Sequence, residues 1–254
     1  MKFISYNIRD GAVDTFNQII EIVQKESPDY LSLNEANTFA ADDQKLLKQF
    51  AERTGFPYFS IALSGEDDYH VASFSKHPFK KVYEVHPLDR ACIVGEIDST
   101  YGPISIASFH LTPYSEDQRL PEIQRILEAQ NGYEHKILMG DMNSLSRRDG
   151  YRDEMIEHFN EMQVKKFTTN GALRFDVLQT IENAGYVDSA VELDKNMIFT
   201  VPTPANIDTT HAQMRLDYIF VSTSLAPHLT SYSVIKDELT HIASDHYPVK
   251  IELH

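Results

Sequence analysis

The sequence contains no tryptophan and a single cysteine, Cys92. A lone cysteine excludes an intrachain disulfide and a cysteine-based zinc site. Its apolar neighbours in "RACIVGEI" predict a small buried side chain rather than a reactive thiol. Without tryptophan, any stacking on a nucleobase would depend on phenylalanine or tyrosine.

Long apolar runs are also missing, since no stretch approaches the roughly 18 apolar residues that a membrane-spanning helix needs. The opening "MKFISYNIRDG" is interrupted by Asn7, Arg9 and Asp10, so it lacks the apolar core of a secretory signal. No linker of biased composition and no fixed-period repeat divides the 254 residues. We therefore expect one domain over residues 1–254, in a soluble and cytoplasmic protein without an obligate protein partner.

Positive charge is scarce, because 23 Lys and Arg residues face 38 Asp and Glu residues, a formal charge of -15. The Lys/Arg clusters are limited to "HPFKK", "RR" at 147–148 and "VKK" at 164–166. An acidic chain gains no counterion release from a nucleic-acid backbone unless a local basic patch reverses the field. The composition therefore weighs against tight duplex binding and favours a site that collects a divalent cation.

The apolar pattern predicts a βαβα opening, a β-rich middle and a return to strands at the end. The opening strands are "KFISYN" and "PDYLSLNE", and helices are predicted over 14–27, 41–55, 115–130, 150–163 and 174–185. On the third of these helices, we expect Arg119 and Gln124 to face solvent or cap loops. Together the elements predict an α/β (α+β) fold, a four-layer αββα sandwich of two mixed β-sheets flanked by helices.

Polar residues recur where the apolar strands end. Strand ends from one or two sheets can converge on one rim, where ligands tend to bind. Carboxylate and amide oxygens suit Mg²⁺, Mn²⁺ or Ca²⁺, and imidazoles can move protons. Asp141 and Asn143 are two apart, so in extended geometry they face the same side. The full set consists of Asn7, Glu35, His110, Asp141, Asn143, Asp217, Asp245 and His246.

The order of these motifs resembles the endonuclease/exonuclease/phosphatase (DNase I-like) superfamily, which includes nucleases, neutral sphingomyelinases and inositol polyphosphate phosphatases. The matching pieces span residues 3–249, and the last three together are very specific. In place of the family's usual Gln-Glu pair, this chain has Asn34 and Glu35. The pieces are "SYNIR", "LSLNEAN", "SFHL", "GDMNS", "RLDYIFVS" and "SDHYPV".

The resemblance implies a role for each residue of this set. It implies that Glu35, Asn7 and Asp245 bind a metal ion, Mg²⁺ or alternatively Mn²⁺. It implies that Arg9, Asn143 and His246 contact the substrate phosphate. The implied catalytic residues are Asp141, Asn143, His110, Asp217 and His246, with Asp217 holding His246 in one tautomer. Secondary candidates near these motifs are Tyr6, Thr200 and Ser244.

The resemblance implies a divalent-metal-dependent phosphoesterase that hydrolyses a phosphodiester or a phosphomonoester by in-line water attack. AP endonucleases of the family usually carry Tyr-x-Pro-Asn where this chain has "HLTPYSEDQ", and the His-Leu form is nearer to the DNase I, sphingomyelinase and phosphatase branches. The partner would be a small phosphorylated molecule, a lipid head group or a nucleic acid, and residues 201–214 are expected to shape the pocket. The alternative is a DNase I-like endonuclease or exonuclease acting on DNA or RNA. A remote alternative is a non-catalytic binding module, which the presence of Glu35, Asp141 and His246 disfavours.

Overall fold

The computed structural model describes residues 1–65, 68–195, 198–206 and 213–254. Its strands are β1 Lys2–Asn7, β2 Tyr30–Asn34, β3 Tyr58–Ala62, β4 Val71–Ser75, β5 Phe79–Glu84, β6 Ala91–Ser99, β7 Gly102–His110, β8 His135–Asp141, β9 Thr168–Thr169, β10 Ala172–Leu173, β11 Tyr186–Asp188, β12 Asp217–Ser222, β13 Leu229–Val234 and β14 Val249–Leu253. Its α-helices are α1 Phe16–Glu26, α2 Ala41–Thr54, α3 Glu116–Ala129, α4 Glu161–Phe167, α5 Asp176–Asn183, α6 Ser189–Glu192 and α7 Thr240–Ala243.

Two six-stranded sheets form the centre of the fold. The first has the strand order β13-β14-β1-β2-β4-β3, and the second has the order β11-β12-β8-β7-β6-β5. The pairs β1–β2 and β7–β8 are parallel, whereas the strands that flank them are antiparallel. Both sheets are therefore mixed, and with helices on their outer faces they confirm the predicted four-layer sandwich. None of the helices within the described ranges combines the length and apolarity needed to cross a bilayer.

Alternation along each strand places apolar residues on both faces of a sheet. In β1, Phe3 packs into the core between the two sheets, while Ile4 and Tyr6 face the side covered by α1 and α2. In β7, Ile106 joins the core between the sheets and Phe109 joins the core beneath α3 and α5. Burying each such side chain stabilises the fold by roughly 1.5–3 kcal/mol. The strands are thus held on both faces, which makes their ends rigid supports.

The strand register brings the polar strand ends together. In the first sheet Asn7 is paired with Asn34. Asn34 then reaches across to the second sheet, where its amide nitrogen donates to the carbonyl of Phe109 at 2.9 Å. Its side-chain oxygen accepts from the backbone N–H of Asp141, also at 2.9 Å. Asn34 therefore fixes the spacing of the two sheets at the end where the candidate site lies.

Gly140 allows β7 and β8 to approach each other immediately before Asp141. Its φ is +153°, and a Cβ at this position would lie 1.7 Å from the carbonyl oxygen of Phe109. No side chain can occupy that space, so glycine is required here. The close approach sets the position of Asp141 relative to β7.

The segment from 150 to 163 is not the single helix that its sequence predicts. A 3₁₀ helix covers Asp153–His158, and α4 begins only at Glu161. The cause is a capping box, in which the side chain of Asn160 accepts from the backbone N–H of Gln163 and that of Gln163 accepts from the backbone N–H of Asn160. The helix therefore begins at Glu161 and ends at Phe167, four residues beyond the predicted end at residue 163.

Candidate functional site

Three ionisable side chains lie side by side at the end of the second sheet. The register pairs Asp141 of β8 with His110 of β7 on one side and with Asp217 of β12 on the other. All three are buried, with at most 2% of each residue exposed. Nε2 of His110 lies 3.4 Å from Oδ2 of Asp141. Rigid neighbouring strands thus hold two carboxylates and an imidazole in one row.

His246 completes this row from the other sheet. Its Nδ1 lies 2.8 Å from Oδ2 of Asp217, and its Nε2 lies 3.8 Å from Oδ2 of Asp141. Burial alone would lower the pKa of His246, but the carboxylates of Asp217 and Asp141 raise it to about 10. Burial raises the pKa of Asp217 from its ordinary value. The pair therefore carries a protonated imidazole at neutral pH, with Nε2–H on the side of Asp141.

Two hydroxyl groups hold the backbone around this pair. Oγ1 of Thr200 accepts from the backbone N–H groups of Leu216 at 3.0 Å and Asp217 at 3.2 Å. Oγ of Ser244 accepts from the backbone N–H of His246 at 3.2 Å and donates to the carbonyl of Asn7 at 2.7 Å. The structure thus gives these secondary candidates contacts with backbone groups, and it connects the loop before β14 to the end of β1.

Asp141 remains ionised although it is buried. Burial would raise its pKa, but the nearby His110 and His246 keep the pKa of this carboxyl well below its usual range. Its Oδ1 accepts from the backbone N–H of Asn143 at 2.9 Å. The turn after β8 therefore presents Asn143 toward the same cleft as Asp141. The reason is this turn and not the extended geometry assumed from the spacing, since the φ of Asn143 is +50°.

Glu35 faces Asp141 across the gap between the sheets. The amide nitrogen of Asn7 lies 3.0 Å from Oε1 of Glu35 and 3.2 Å from Oδ2 of Asp141. The side-chain oxygen of Asn7 accepts from the backbone N–H of Arg9 at 3.0 Å. In this arrangement Asn7 turns its nitrogen, rather than its oxygen, toward the two carboxylates. Two carboxylates thus converge on one neutral amide, which is an electrostatic arrangement that a cation would relieve.

Four residues around this site have strained backbone. Arg9, Asp10, Glu35 and Asn143 all have φ between 47° and 56°, in the left-handed region that residues other than glycine rarely adopt. Each such residue costs about 1–3 kcal/mol, and such strain is typical of functional sites. The surrounding hydrogen bonds, such as that from the backbone N–H of Asp10 to Oε2 of Glu35 at 3.0 Å, stabilise these conformations.

A cleft of about 400 Å³ opens above these groups. Asn7 and Asp217 are fully buried beneath it, so they support the groups that line it. Both basic and acidic side chains line the cleft, and the guanidinium of Arg90 lies 3.7 Å from the ring centre of Tyr69. The lining residues that bear on its chemistry are Arg9, Asp10, Glu35, Tyr69, Arg90, His110, Asp141, Asn143, Lys166, Asp245 and His246.

Sequence reasoning missed four of these lining residues, namely Asp10, Tyr69, Arg90 and Lys166. Tyr69 and Arg90 lie in the β-rich middle, where no local pattern marks them. Lys166 belongs to "VKK", which the sequence presents only as a small basic cluster, yet it is buried and its Nζ donates to the side-chain oxygen of Asn143. The signal that could have found Lys166 is the Asn-x-x-Gln pattern at 160–163, which places the start of α4 and therefore its last turn.

Arg119 does not face solvent, and instead it follows the other expected alternative, because it caps the loop between β7 and α3. The side chain is fully buried, whereas Gln124 is exposed as expected. Arg119 donates to the carbonyls of Thr112 at 3.0 Å and Lys166 at 2.6 Å, and it is paired with Glu116 at 3.0 Å. The available signal for its burial was the helical spacing i, i+4, i+7 of Arg119, Ile123 and Ile126, which places all three on the buried face of α3.

The loop of residues 201–214, which is expected to shape the pocket, lies partly within the described ranges. Val201 and Pro202 line the cleft, and the side-chain hydroxyl of Thr203 donates to the carbonyl of Ser244 at 2.5 Å. Residues 207–212 lie outside the described ranges. The described part of the loop therefore forms one wall of the cleft next to the His246 segment.

Residues 4–246 match the profile of the endonuclease/exonuclease/phosphatase family. No curated protein sequence matches the chain significantly. Among solved structures, the chain is similar to an endonuclease/exonuclease/phosphatase family protein from Leptotrichia buccalis C-1013-b, with 20% identity and a TM-score of 0.72 over 100% of this chain and 99% of that one. An AP endonuclease from Archaeoglobus fulgidus is 18% identical, with a TM-score of 0.76 over 100% of this chain and 99% of that one.

A third similar structure is a 3′ phosphatase from Neisseria bound to a product DNA hairpin. It is 16% identical, and the TM-score is 0.70 over 100% of this chain and 99% of that one. At these identities the structural likeness establishes the shared fold. The superfamily resemblance of the sequence motifs is confirmed by the family match over nearly the whole chain.

Proposed function

Since the chain belongs to the endonuclease/exonuclease/phosphatase family, we propose that it is a divalent-metal-dependent phosphoesterase. It hydrolyses a phosphodiester or a phosphomonoester by in-line attack of water. One observation carries the proposal: Nε2 of His246 lies 3.8 Å from Oδ2 of Asp141 in a cleft that Glu35 also lines. Such a site supplies a proton donor and a group that orients water. It also supplies oxygen atoms that can bind a cation.

The proposed metal ligands are Glu35, Asn7 and Asp245, and the proposed ion is Mg²⁺ or alternatively Mn²⁺. The carboxylates fit a hard cation, because oxygen ligands suit Mg²⁺ and Mn²⁺ and because Glu35 and Asp141 converge on the amide of Asn7. Asn7 itself would bind the ion through its side-chain oxygen, which requires its amide to turn over, because its nitrogen faces the two carboxylates here. Oxygen and nitrogen atoms of Asp141, Asp217 and His246 also lie within 4.8 Å of one another. A shared proton already accounts for the closeness of Asp217 and His246, so we assign the metal to the Glu35 side. When bound, the ion would withdraw charge from the phosphoryl oxygens.

The residues of the row then have distinct tasks. Asp141 orients the attacking water or accepts its proton, because it is ionised and faces the cleft. His246 donates a hydrogen bond to the phosphoryl group as negative charge develops. Asp217 keeps the proton on Nδ1 of His246 and fixes the plane of the ring.

Three further residues contribute at the edge of this row. Asn143 provides a second donor toward the phosphoryl oxygens, and His110 takes part in the other proton transfer. Arg9 lines the cleft beside Glu35, where a guanidinium can contact a phosphate. These roles follow from placing the substrate phosphorus above Asp141.

The cleft favours a small or exposed phosphoester. A volume of about 400 Å³ lies in the range of small-molecule sites. The chain carries a net charge of -15 and only short Lys/Arg clusters, so it lacks a long basic track for a duplex. A sugar phosphate, a lipid head group or a nucleotide would each fit this description.

Nuclease activity is the second candidate. Two of the similar structures are an AP endonuclease and a 3′ phosphatase bound to a DNA hairpin. Arg9 and Arg90, with the ring of Tyr69, could contact one flexible strand end at the mouth of the cleft. A non-catalytic binding module on this fold is the remote third candidate.

The experiment that tests the proposal compares substrates side by side. Purified protein is incubated with p-nitrophenyl phosphate, bis-p-nitrophenyl phosphate, single-stranded DNA and plasmid DNA, each with Mg²⁺, Mn²⁺ or EDTA. We expect metal-dependent turnover of a small ester and weak cleavage of duplex DNA. Preferred cleavage of DNA would select the nuclease alternative. An absence of turnover with every substrate and metal would favour the binding module.

A further inference from the structure

Lys166 is a buried cation in the cleft that the proposed mechanism does not use. It lies in the last turn of α4, and 7% of the residue is exposed. Burial lowers its pKa to about 8, with the charge of Asp141 acting in the opposite direction. It is therefore largely charged at neutral pH, and its Nζ donates to the side-chain oxygen of Asn143. A buried ammonium is costly unless its position serves a purpose.

We propose that Lys166 is a positioning residue that orients the side-chain amide of Asn143 and, through it, holds His110 as the neutral tautomer with its proton on Nδ1. This inference rests on the proposed function, since it concerns the same site. It assigns His110 as the proton acceptor and leaves His246 as the donor.

The first step is the orientation of the Asn143 amide. An ammonium group can only donate, so the atom facing Lys166 must be the amide oxygen. A backbone carbonyl can only accept, so the atom 2.8 Å from the carbonyl of Leu111 must be the amide nitrogen. The donor Lys166 and the acceptor carbonyl of Leu111 thus fix the orientation of the Asn143 amide.

The second step concerns His110. The amide nitrogen of Asn143 has two hydrogens, one of which is taken by the carbonyl of Leu111. The same nitrogen lies 3.1 Å from Nε2 of His110, so its other hydrogen is directed there and Nε2 must accept it. A neutral imidazole has one donor nitrogen and one acceptor nitrogen, so the proton of His110 resides on Nδ1. Nδ1 is buried and has no hydrogen-bond partner among the described residues in either tautomer, so the contacts of Nε2 decide between the two.

The contact with Asp141 is consistent with this tautomer. Nε2 of His110 is 3.4 Å from Oδ2 of Asp141, which exceeds the usual range of about 2.7–3.2 Å for an N–H···O hydrogen bond. A neutral His110 places no positive charge beside Asp141, but the charges of His246 and Lys166 still lower the pKa of this carboxyl. A lone pair on Nε2 and a carboxylate thus face the same part of the cleft, as a proton-accepting site requires.

The position of Lys166 is itself held in place. Arg119 donates to the backbone carbonyl of Lys166 and to that of Thr112, two residues after His110. Ser144 donates from its hydroxyl to Oε2 of Glu116 at 3.0 Å, and this carboxylate is paired with Arg119. A single buried guanidinium therefore ties α4, β7 and the turn that carries Asn143 into one unit. Supporting contacts of this kind are what an oriented site needs.

The test reads the tautomer directly by ¹⁵N NMR of the histidine side chains, with the His110 signals assigned by their loss in His110→Gln. In wild-type protein, with or without diamagnetic Mg²⁺, we expect a protonated Nδ1 and an unprotonated Nε2. In Lys166→Met we expect the proton to move toward Nε2, because Asn143 loses its partner and Asp141 loses a nearby positive charge. The matched control is Lys165→Met, which changes the neighbouring, exposed lysine of the same helix.

Kinetics on the best substrate provide the second readout. We expect kcat of Lys166→Met to fall by about 10- to 100-fold with KM changed by less than about 3-fold, since part of a general-base contribution is lost. Lys166→Arg keeps a donor and a charge, so it should retain the wild-type tautomer and recover most of kcat. Lys165→Met should match wild-type in both measurements.

Two results would overturn the inference. Finding Nε2 of His110 protonated in wild-type protein would do so whether or not the Lys166 variant folds. An unchanged tautomer and an unchanged kcat in folded Lys166→Met would remove the role of Lys166. If wild-type protein turns over no phosphoester while the tautomer shifts as expected, the proposed function fails and the positioning by Lys166 is supported.

Discussion

Nδ1 of His246 lies 2.8 Å from Oδ2 of Asp217, and this carboxylate is fully buried at the end of β12. The two residues come from different sheets, so the contact depends on the whole sandwich. It raises the pKa of the imidazole and fixes its proton on the nitrogen that faces away from the cleft. The remaining N–H is thereby directed toward Asp141 and the substrate position.

Replacing Asp217 with Asn should therefore remove activity with little change in shape. The neutral amide removes the negative charge that keeps His246 protonated. Its oxygen can still accept from Nδ1–H, so the neutral ring would present a lone pair instead of an N–H at Nε2, the nitrogen on the side of the phosphate. By comparison with other Asp–His pairs, we expect kcat to fall on the order of 10³- to 10⁴-fold. Steady-state kinetics beside circular dichroism would measure this, with Asp42→Asn on the exposed surface as the control. Turnover at the wild-type rate would remove this pair from the mechanism.

The same pair predicts a dependence of stability on pH. The pKa of His246 rises from 6.5 to about 10 on folding. Because the folded pKa is the higher one, the stabilisation is fully present below pH 6.5 and is lost as pH rises through about 10. Its size should be on the order of a few kcal/mol.

Urea unfolding in EDTA, compared between wild-type protein and His246→Gln, checks this pH dependence. The free-energy difference between the two proteins should shrink as the pH is raised from neutral toward 10. A difference that is constant over this range would show that the imidazole of His246 is not preferentially protonated in the folded protein.

Much of the sandwich fold and of the candidate site was predictable from local sequence patterns. The strand ends at Asn7, Glu35 and Asp141 follow from apolar runs that stop abruptly, and a sandwich buries both faces of such strands. The contribution of Lys166 was not predictable in the same way, because it depends on where α4 begins and on contacts with α3. The burial of Arg119 was not predictable from the sequence, because a buried guanidinium needs several backbone carbonyls, which only the tertiary structure brings together.

Gly140 offers a test of how closely the strands beneath the site must approach. Gly140→Ala would place a methyl group 1.7 Å from the carbonyl oxygen of Phe109, so β7 and β8 must separate. We expect a loss of several kcal/mol, roughly 3 or more, together with a loss of activity as Asp141 moves. Urea unfolding and kcat measure both effects.

A matched control separates this contact from backbone conformation. Gly132 also has positive φ, but a Cβ there would meet no atom within 4 Å. Gly132→Ala should cost only about 1 kcal/mol and leave kcat unchanged. Equal losses in the two variants would mean that conformation, rather than the approach of the two strands, makes Gly140 necessary.

The most direct test of the central claim is metal-dependent hydrolysis of the preferred phosphoester by wild-type protein and by Asp141→Asn. We expect EDTA to abolish wild-type turnover and Mg²⁺ or Mn²⁺ to restore it, and we expect the variant to lose at least about 100-fold in kcat while remaining folded. Turnover that persists in EDTA, or an Asp141→Asn variant as active as wild-type protein, would contradict that claim.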